Sequence, residues 1–339
     1  MPTIKEVAKR AKVSVGTVSH VLTGAASVGP ERRERILTAM RELKYHPNDI
    51  ARSLKLSRSH MLGMVVSDIT NPFFSQLVRG AEDAAMKRNY LLVTFNTDEQ
   101  VEREKYVLTV LRQRRVDGVL LVVAPARGKP YHVLELMALG TPVVCLDRVP
   151  RGVRIDSVTV DNVGAARNCV EHMLDQGHRR IAILTGSLLL QTARARLQGY
   201  KEALSDRRIP IDGRLICEGN FREDSGFELA LRLLSRPDRP TAVFASNGLM
   251  AVGVMKALAQ MGLRCPQDVA LASFDDLTLA ELLHPPLTAV VQPAYDIGYQ
   301  GATLLMQRIE SGEKNSKSRR ENVRLATELK IRGSTIRSR

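Results

Sequence analysis

Asn71, Phe73 and Phe74 follow the run LGMVVSD, Asp147 and Arg148 follow PVVCL, and Arg194 and Arg196 come shortly after RRIAILTG. Asn247 follows AVFAS, Asp275 follows ALASF, and Gln292 ends TAVVQ. Each of these side chains therefore stands at or soon after the end of a short, β-rich apolar run. Carboxylates, guanidiniums and amides that converge with two aromatic faces are the chemistry that holds a neutral sugar. Its hydroxyls take directed bonds from charged groups, and its C–H faces lie on Phe rings. Taken singly, each is an ordinary polar residue at a strand end; taken together, they point to a ligand cleft.

A second set of residues carries different chemistry. The stretch TIKEVAKRAKVSVGTVSHVLTG, residues 3–24, reads as two short helices joined by a tight turn. Thr3 can cap the first while Glu6 reaches back, and Ile4, Val7, Ala8 and Ala11 make one apolar stripe. Ser14 caps the second, and Val18, Val21 and Leu22 face inward. That leaves Val15, Gly16, Thr17, Ser19 and His20 pointing outward, as a helix entering a DNA major groove requires. Any small three-helix domain shows similar caps, so charge separates the readings. Residues 1–60 carry 12 Lys/Arg against 5 Asp/Glu, whereas residues 61–312 carry 29 against 28. The excess is local, as a footprint for phosphates should be. The further basic excess in residues 313–339 has no apolar reading face and is expected to be a solvated loop and tail.

These residues need elements to hold them. From residue 61 onward, short apolar runs alternate with helical segments: LGMVVSD, a helix from Pro72, LLVTFN, a charged helix, GVLLVVAP, another helix, and PVVCLD. After Asp161 the pattern restarts, with RRIAILTG, AVFASNG and DVALASFDD as strands. Such βαβ repetition predicts parallel sheets covered by helices, and ligands in such sheets sit beyond the strands' C-terminal ends. The expected fold is α/β: an all-α helix-turn-helix headpiece followed by two doubly wound parallel-sheet subdomains whose facing strand ends form a cleft. RLATELKIRGST reads as one closing strand.

Several function classes are disfavoured. No GxSxG, GxxxxGK or HExxH is present, and the adjacent carboxylates Asp275 and Asp276 point to opposite faces of a strand, so an enzyme is not expected. Cys145, Cys169, Cys217 and Cys265 form no CxxC pair and are expected to be buried reduced thiols, with no metal and no cofactor. No apolar run reaches the ~20 residues of a membrane span, and the chain opens on the capping box rather than a signal-peptide pattern. A cytoplasmic protein without a membrane partner is expected. His132, His172, His178 and His284 lack metal spacing and are expected to be structural or solvated.

The chain resembles the lactose-repressor family of bacterial transcription regulators over essentially its full length, and is most like that family's ribose-operon repressors. The resemblance rests on TIKEVAKRAKVSVGTVSHVL for the headpiece, YHPNDIARSLK for the hinge, VDGVLL, GHRRIAIL, LMAVG and FDD for the core, and HPPLTAVVQP. It implies a headpiece over residues 1–46, a hinge helix and linker over 47–59, and an effector and dimerisation core over 60–339. Within the core, one subdomain would take 60–161 and 292–323, the other 162–291 and 324–339. It further implies a homodimer on a palindromic operator in double-stranded DNA. Val15, Gly16 and His20 then read bases, Thr17 and Ser19 contact phosphates, Ser14 belongs to the same DNA-binding set, and Leu54 wedges the minor groove with Ala51 and Lys55 beside it. His20 departs from the arginine most often found there, which puts bidentate guanine recognition in doubt at that position. The core is similar to periplasmic sugar-binding proteins, and NPFF, LDR, ARAR, SN, FDD and VVQ place Phe73, Phe74, Asp147, Arg148, Arg196, Asn247, Asp275 and Gln292 on the effector. Ribose is the expected effector, with a hexose, a sugar acid or a corepressor ligand as alternatives. One departure bears on this, because Gly248 replaces the aspartate that usually follows Asn247.

Overall fold

The computed structural model describes residues 2–22, 28–45, 58–312 and 320–336. They fall into two compact units, Met1–Ser59 and His60–Arg339. Ala51, Leu54 and Lys55 lie outside the described residues.

The first unit holds three helices, α1 (Ile4–Ala11), α2 (Val15–Leu22) and α3 (Pro30–Glu42). The expected capping box is formed: the Thr3 backbone N–H donates to Glu6 Oε2 at 2.6 Å, and the Glu6 N–H donates to Thr3 Oγ1 at 3.4 Å. Lys12 ends α1 in a left-handed conformation, φ 54°, which turns the chain sharply into α2. Val7, Ala8, Ala11, Val18, Val21, Ile36 and Ala39 make the small core.

In the second unit, two six-stranded sheets follow the same winding. The first comprises β1 (Met61–Val66), β2 (Leu91–Asn96), β3 (Gly118–Leu121), β4 (Val143–Leu146), β5 (Asp156–Val160) and β11 (Asn322–Leu325), in the order β11-β5-β4-β3-β1-β2. The second comprises β6 (Ile181–Thr185), β7 (Ile216–Glu218), β8 (Ala242–Ala245), β9 (Ala270–Phe274), β10 (Thr288–Val291) and β12 (Glu328–Lys330), in the order β12-β10-β9-β8-β6-β7. All pairings are parallel except β10 with β12. Central strands such as GVLL and VVCL are buried throughout because helices cover both faces, so they read as continuous apolar runs.

Strand alternation divides the first core in two. Leu62, Met64, Leu120, Val144 and Leu146 meet helices α4 (Pro72–Lys87) and α11 (Ala294–Ser311), while Val65, Val119, Leu121, Val143 and Cys145 meet α5 (Val101–Gln113) and α6 (Tyr131–Ala138). In the second subdomain the equivalent layers are α7 (Asn162–Asp175) with α8 (Gln191–Asp206), and α9 (Glu223–Leu234) with α10 (Gly248–Gln260). Helices α4 and α11 touch backbone to backbone. A Cβ on Gly80 would collide with the Tyr295 carbonyl, and one on Gly298 with the Leu77 carbonyl.

The chain crosses between subdomains at 160–162, 291–294 and 325–328. The closing segment is therefore two strands rather than the single one expected: β11 runs parallel to β5, and β12 antiparallel to β10 in the other sheet. Arg324 and Leu325 pair with Thr159 and Val160, so the last crossing lies after 325, two residues beyond the approximate boundary expected at 323. Of the four cysteines, Cys145 and Cys169 are buried as expected, whereas Cys217 and Cys265 are only half-buried because they lie near the rim of the second subdomain's core.

Candidate nucleic-acid interface and ligand cleft

On α2, Ser14 caps the helix by accepting the Thr17 N–H at 3.1 Å, and its hydroxyl lies 2.8 Å from Thr17 Oγ1. This pair satisfies two hydroxyls locally. Val15, Gly16 and His20 are exposed, with Val15 at 40%, while Thr17 and Ser19 are half-buried. The exposed face thus offers one apolar branch, one stretch of bare backbone and one imidazole. Arg10 on α1 pairs with Glu42 on α3 at 2.8 Å and fixes the helices around this face.

The eight residues expected at the ligand, Phe73, Phe74, Asp147, Arg148, Arg196, Asn247, Asp275 and Gln292, line one cleft between the two sheets' C-terminal edges. It encloses about 430 Å³, part of it open to solvent. Asn71 joins them, whereas Arg194 does not: its guanidinium donates to the Leu188 and Leu189 carbonyls at 2.6 and 2.9 Å. Two of the cleft residues are also helix caps. Asn71 Oδ1 accepts the Phe73 N–H at 3.1 Å, and Asn247 Oδ1 accepts the Met250 N–H at 2.9 Å, so α4 and α10 both start at the cleft.

Asp147 and Asp275 occupy equivalent places, each just after the strand of its own sheet, at φ 61° and 71°. Aspartate tolerates this left-handed backbone better than most residues, at a cost of about 1 kcal/mol or more each. The strain turns both carboxylates into the cleft. Asp276, by contrast, binds Arg332 at 2.8 Å through each oxygen, which leaves one carboxylate of that pair facing the ligand space.

Two buried guanidiniums stand between these acids. Arg148 Nη1 donates to Glu99 at 2.8 and 2.9 Å and to Ser67 Oγ at 3.0 Å, and Arg148 Nε lies 3.3 Å from Asp147 Oδ2. Arg196 donates to Asn162 Oδ1 at 2.8 Å and the Ser246 carbonyl at 2.6 Å, and its plane lies 3.6 Å from the Phe274 ring centre. Burial pushes the Asp147 carboxyl up from its ordinary pKa, opposed by Arg148 and Arg196. Burial also raises Asp275, opposed by Arg196 and by Gln292, whose amide donates to Asp275 Oδ1 at 2.5 Å. Asp147 Oδ1, Gln292 Oε1, Thr192 Oγ1 and Arg148 Nε, all on cleft-lining residues, are buried without a hydrogen-bond partner. Two acceptors, one hydroxyl and one guanidinium N–H call for a ligand that both donates and accepts hydrogen bonds, as sugar hydroxyls do.

Sequence reasoning missed Asp68, Glu99, Thr192, Asn220, Phe221 and Arg222, which also line the cleft. Glu99 and Phe221 sit in loops after the edge strands β2 and β7. β2 is the run LLVTFN, so the rule that ligands sit beyond strand ends could have reached Glu99, whereas β7 has three residues and leaves no run to read. Among the described residues, no cluster of His, Cys, Asp and Glu has the arrangement of a metal site. His132 instead lies 2.6 Å from the buried Glu104, and His172 2.9 Å from the Thr335 hydroxyl.

Residues 3–48 match the family described as bacterial regulatory proteins, lacI family, and residues 170–335 match the periplasmic binding protein-like domain. The ribose operon repressor of Escherichia coli K12 is 38% identical over 309 residues, 91% of this chain and 93% of that protein. A lac repressor dimer bound to operator and an anti-inducer superposes with a TM-score of 0.86 at 28% identity, covering 99% of both chains. A lacI-family transcriptional regulator from Enterococcus faecium with bound ribose superposes with a TM-score of 0.72 at 31% identity, covering 81% of this chain and 98% of that one.

Proposed function

As a member of the lacI family of bacterial regulatory proteins, this chain is a DNA-binding transcription regulator, and we propose that it represses a sugar catabolic operon as a homodimer released from its operator by ribose. The observation that carries the effector reading is the pair of unpartnered buried acceptors, Asp147 Oδ1 and Gln292 Oε1. Neutral hydroxyls satisfy both, while a carboxylate or phosphate would meet Asp147 and Asp275 as like charges. Arg148 is already charge-paired with Glu99 and Asp147, and Arg196 donates to Asn162 and the Ser246 carbonyl, which leaves Arg148 Nε as a donor for a ligand hydroxyl oxygen. Ribose is named first because the ribose operon repressor is similar over nearly the whole chain and a similar core holds ribose in its solved structure.

On the DNA side, the exposed Val15, Gly16 and His20 face the bases in this reading, and Ser14, Thr17 and Ser19 stand by the phosphates. Leu54, flanked by Ala51 and Lys55, would wedge the central step. The homodimer follows from the palindrome, since a two-fold operator needs two headpieces. Leu279 and Leu282, 61% and 71% exposed, and Met86, 65% exposed, offer apolar surface on the second unit for a partner copy. No helix among the described residues is long and apolar enough to cross a membrane, in keeping with a regulator that works on DNA in the cytoplasm. A catalytic role is not part of this reading, since the cleft acids are tied to arginine and amide partners rather than poised beside a nucleophile.

The mechanism is a shift between open and closed forms of the cleft. Ribose can move the operator equilibrium only by its differential affinity for the two, typically about 1–3 kcal/mol. Calorimetric titration of the full chain with D-ribose, with arabinose, galactose and gluconate as controls, tests the reading. Saturable binding near the micromolar range, about −8 kcal/mol, together with weaker operator binding in the presence of ribose, is the expected result. Heat from gluconate alone would refute the neutral-sugar effector, and operator binding strengthened by ribose would make the ligand a corepressor.

A further inference from the structure

Phe221 is the third aromatic residue of the cleft and the one whose placement is most constrained. It sits at φ 65° and is buried, with its ring 5.5 Å from the Arg148 guanidinium and 5.9 Å from that of Arg196. Its backbone cannot retreat. The Phe221 carbonyl accepts the Asn247 side-chain amide at 2.7 Å, Asn220 Oδ1 accepts the Arg222 N–H at 3.0 Å, and the Gly219 N–H donates to the Thr185 carbonyl at 2.7 Å. Against the same ring lies Gly186, the first residue after β6. A Cβ built there falls within the ring's van der Waals envelope, against Cδ2, Cε2 and Cζ. Gly186 does not itself adopt a left-handed φ, so its backbone accepts alanine without strain, and the nearest atoms a methyl there would meet are those of the Phe221 ring.

We propose that Gly186 is a positioning residue for the ligand: its missing side chain is the recess that keeps the Phe221 ring back between the two guanidiniums and leaves the cleft deep enough for a sugar ring. A methyl at 186 meets a ring whose backbone is anchored, so the ring has to swing toward the ligand space. Residue 186 touches no ligand itself. The inference rests on the sugar-cleft reading above and adds a determinant of ligand size that acts through Phe221.

A double-mutant cycle in the full-length protein tests it, with Gly186→Ala, Phe221→Ala and the double variant titrated with D-ribose and melted without ligand. Gly186→Ala is expected to weaken ribose binding by about tenfold or more and to lower the melting temperature by a few degrees, the usual effect of overpacking. In the Phe221→Ala background the same substitution is expected to change both by little, less than about twofold in affinity. Equal losses in both backgrounds, or an unchanged Gly186→Ala protein, overturn the proposal. If the parent protein binds no ribose, the effector reading fails by itself. The melting cycle then decides whether residue 186 and the ring are coupled: coupling supports the recess, and its absence refutes it.

Discussion

Asp147 is asked to do two incompatible things. It is buried, which disfavours its charge, yet it presents an unpartnered oxygen to the ligand. Its native pKa lies above its unfolded value, so between those two values the folded state holds more protons. Stability therefore falls as pH rises from the ordinary aspartate range through the elevated one. Asp147→Asn should remove that pH dependence and raise the melting temperature at neutral pH. The same change should weaken ribose binding by about 10- to 100-fold, the range for losing a hydrogen bond to a charged group; a variant that gained stability and kept full affinity would contradict the assignment. Arg196 is constrained differently, since its fork serves Asn162 and Ser246 at once while its plane covers Phe274. Arg196→Lys keeps the charge but not the fork, and calorimetry should find ribose binding lost. Val15 and His20 are exposed side chains of α2, and in the proposed reading His20→Ala should lower specific operator affinity by about 1–3 kcal/mol in a gel-shift titration while leaving nonspecific binding nearly intact.

Elements decide how such residues meet. The central strands were legible in the sequence because parallel-sheet burial makes continuous apolar runs, while the capping roles of Asn71, Asp161 and Asn247 emerge only in the structure. The eight residues expected at the ligand do line one cleft. The loop acids and Phe221 were not expected there, because they lie in the loops a few residues beyond the strands, in the case of Phe221 beyond a strand of three residues, and the split of RLATELK between two sheets leaves no trace in an alternation both halves share. Nor does a sequence display close helix contact. Gly80 and Gly298 look like ordinary helix-weakening residues, yet each lies against the backbone of the opposing helix. Gly80→Ala should therefore destabilise the protein despite alanine's better helix propensity, by about 1–3 kcal/mol in denaturant titration. Asp156 is the corresponding electrostatic knot. It accepts from Arg308 at 3.0 and 3.2 Å, from Arg320 at 3.3 Å and from the Glu321 N–H at 2.7 Å, tying α11 and the segment before β11 to β5.

At the scale of the whole molecule, charge is divided by task. The basic excess of residues 1–60 is separated from a second unit that is nearly neutral up to residue 312. Operator affinity should accordingly fall steeply with salt, by about 10³-fold or more between 50 and 200 mM for 6–10 phosphate contacts, while ribose binding should hardly respond. Within the second unit, three strands of chain join the subdomains, at 160–162, 291–294 and 325–328. A door hung on one pin can sag and twist; hung on three, it swings about a single line. In the proposed reading, the triple crossing should give the cleft a bearing of that kind, so that the work done by a sugar drawing the two halves together goes into few rotations instead of being spread over many. Cutting one pin, by opening the chain between Ala326 and Thr327, would leave both halves folded and the sugar still held, but with play in the joint.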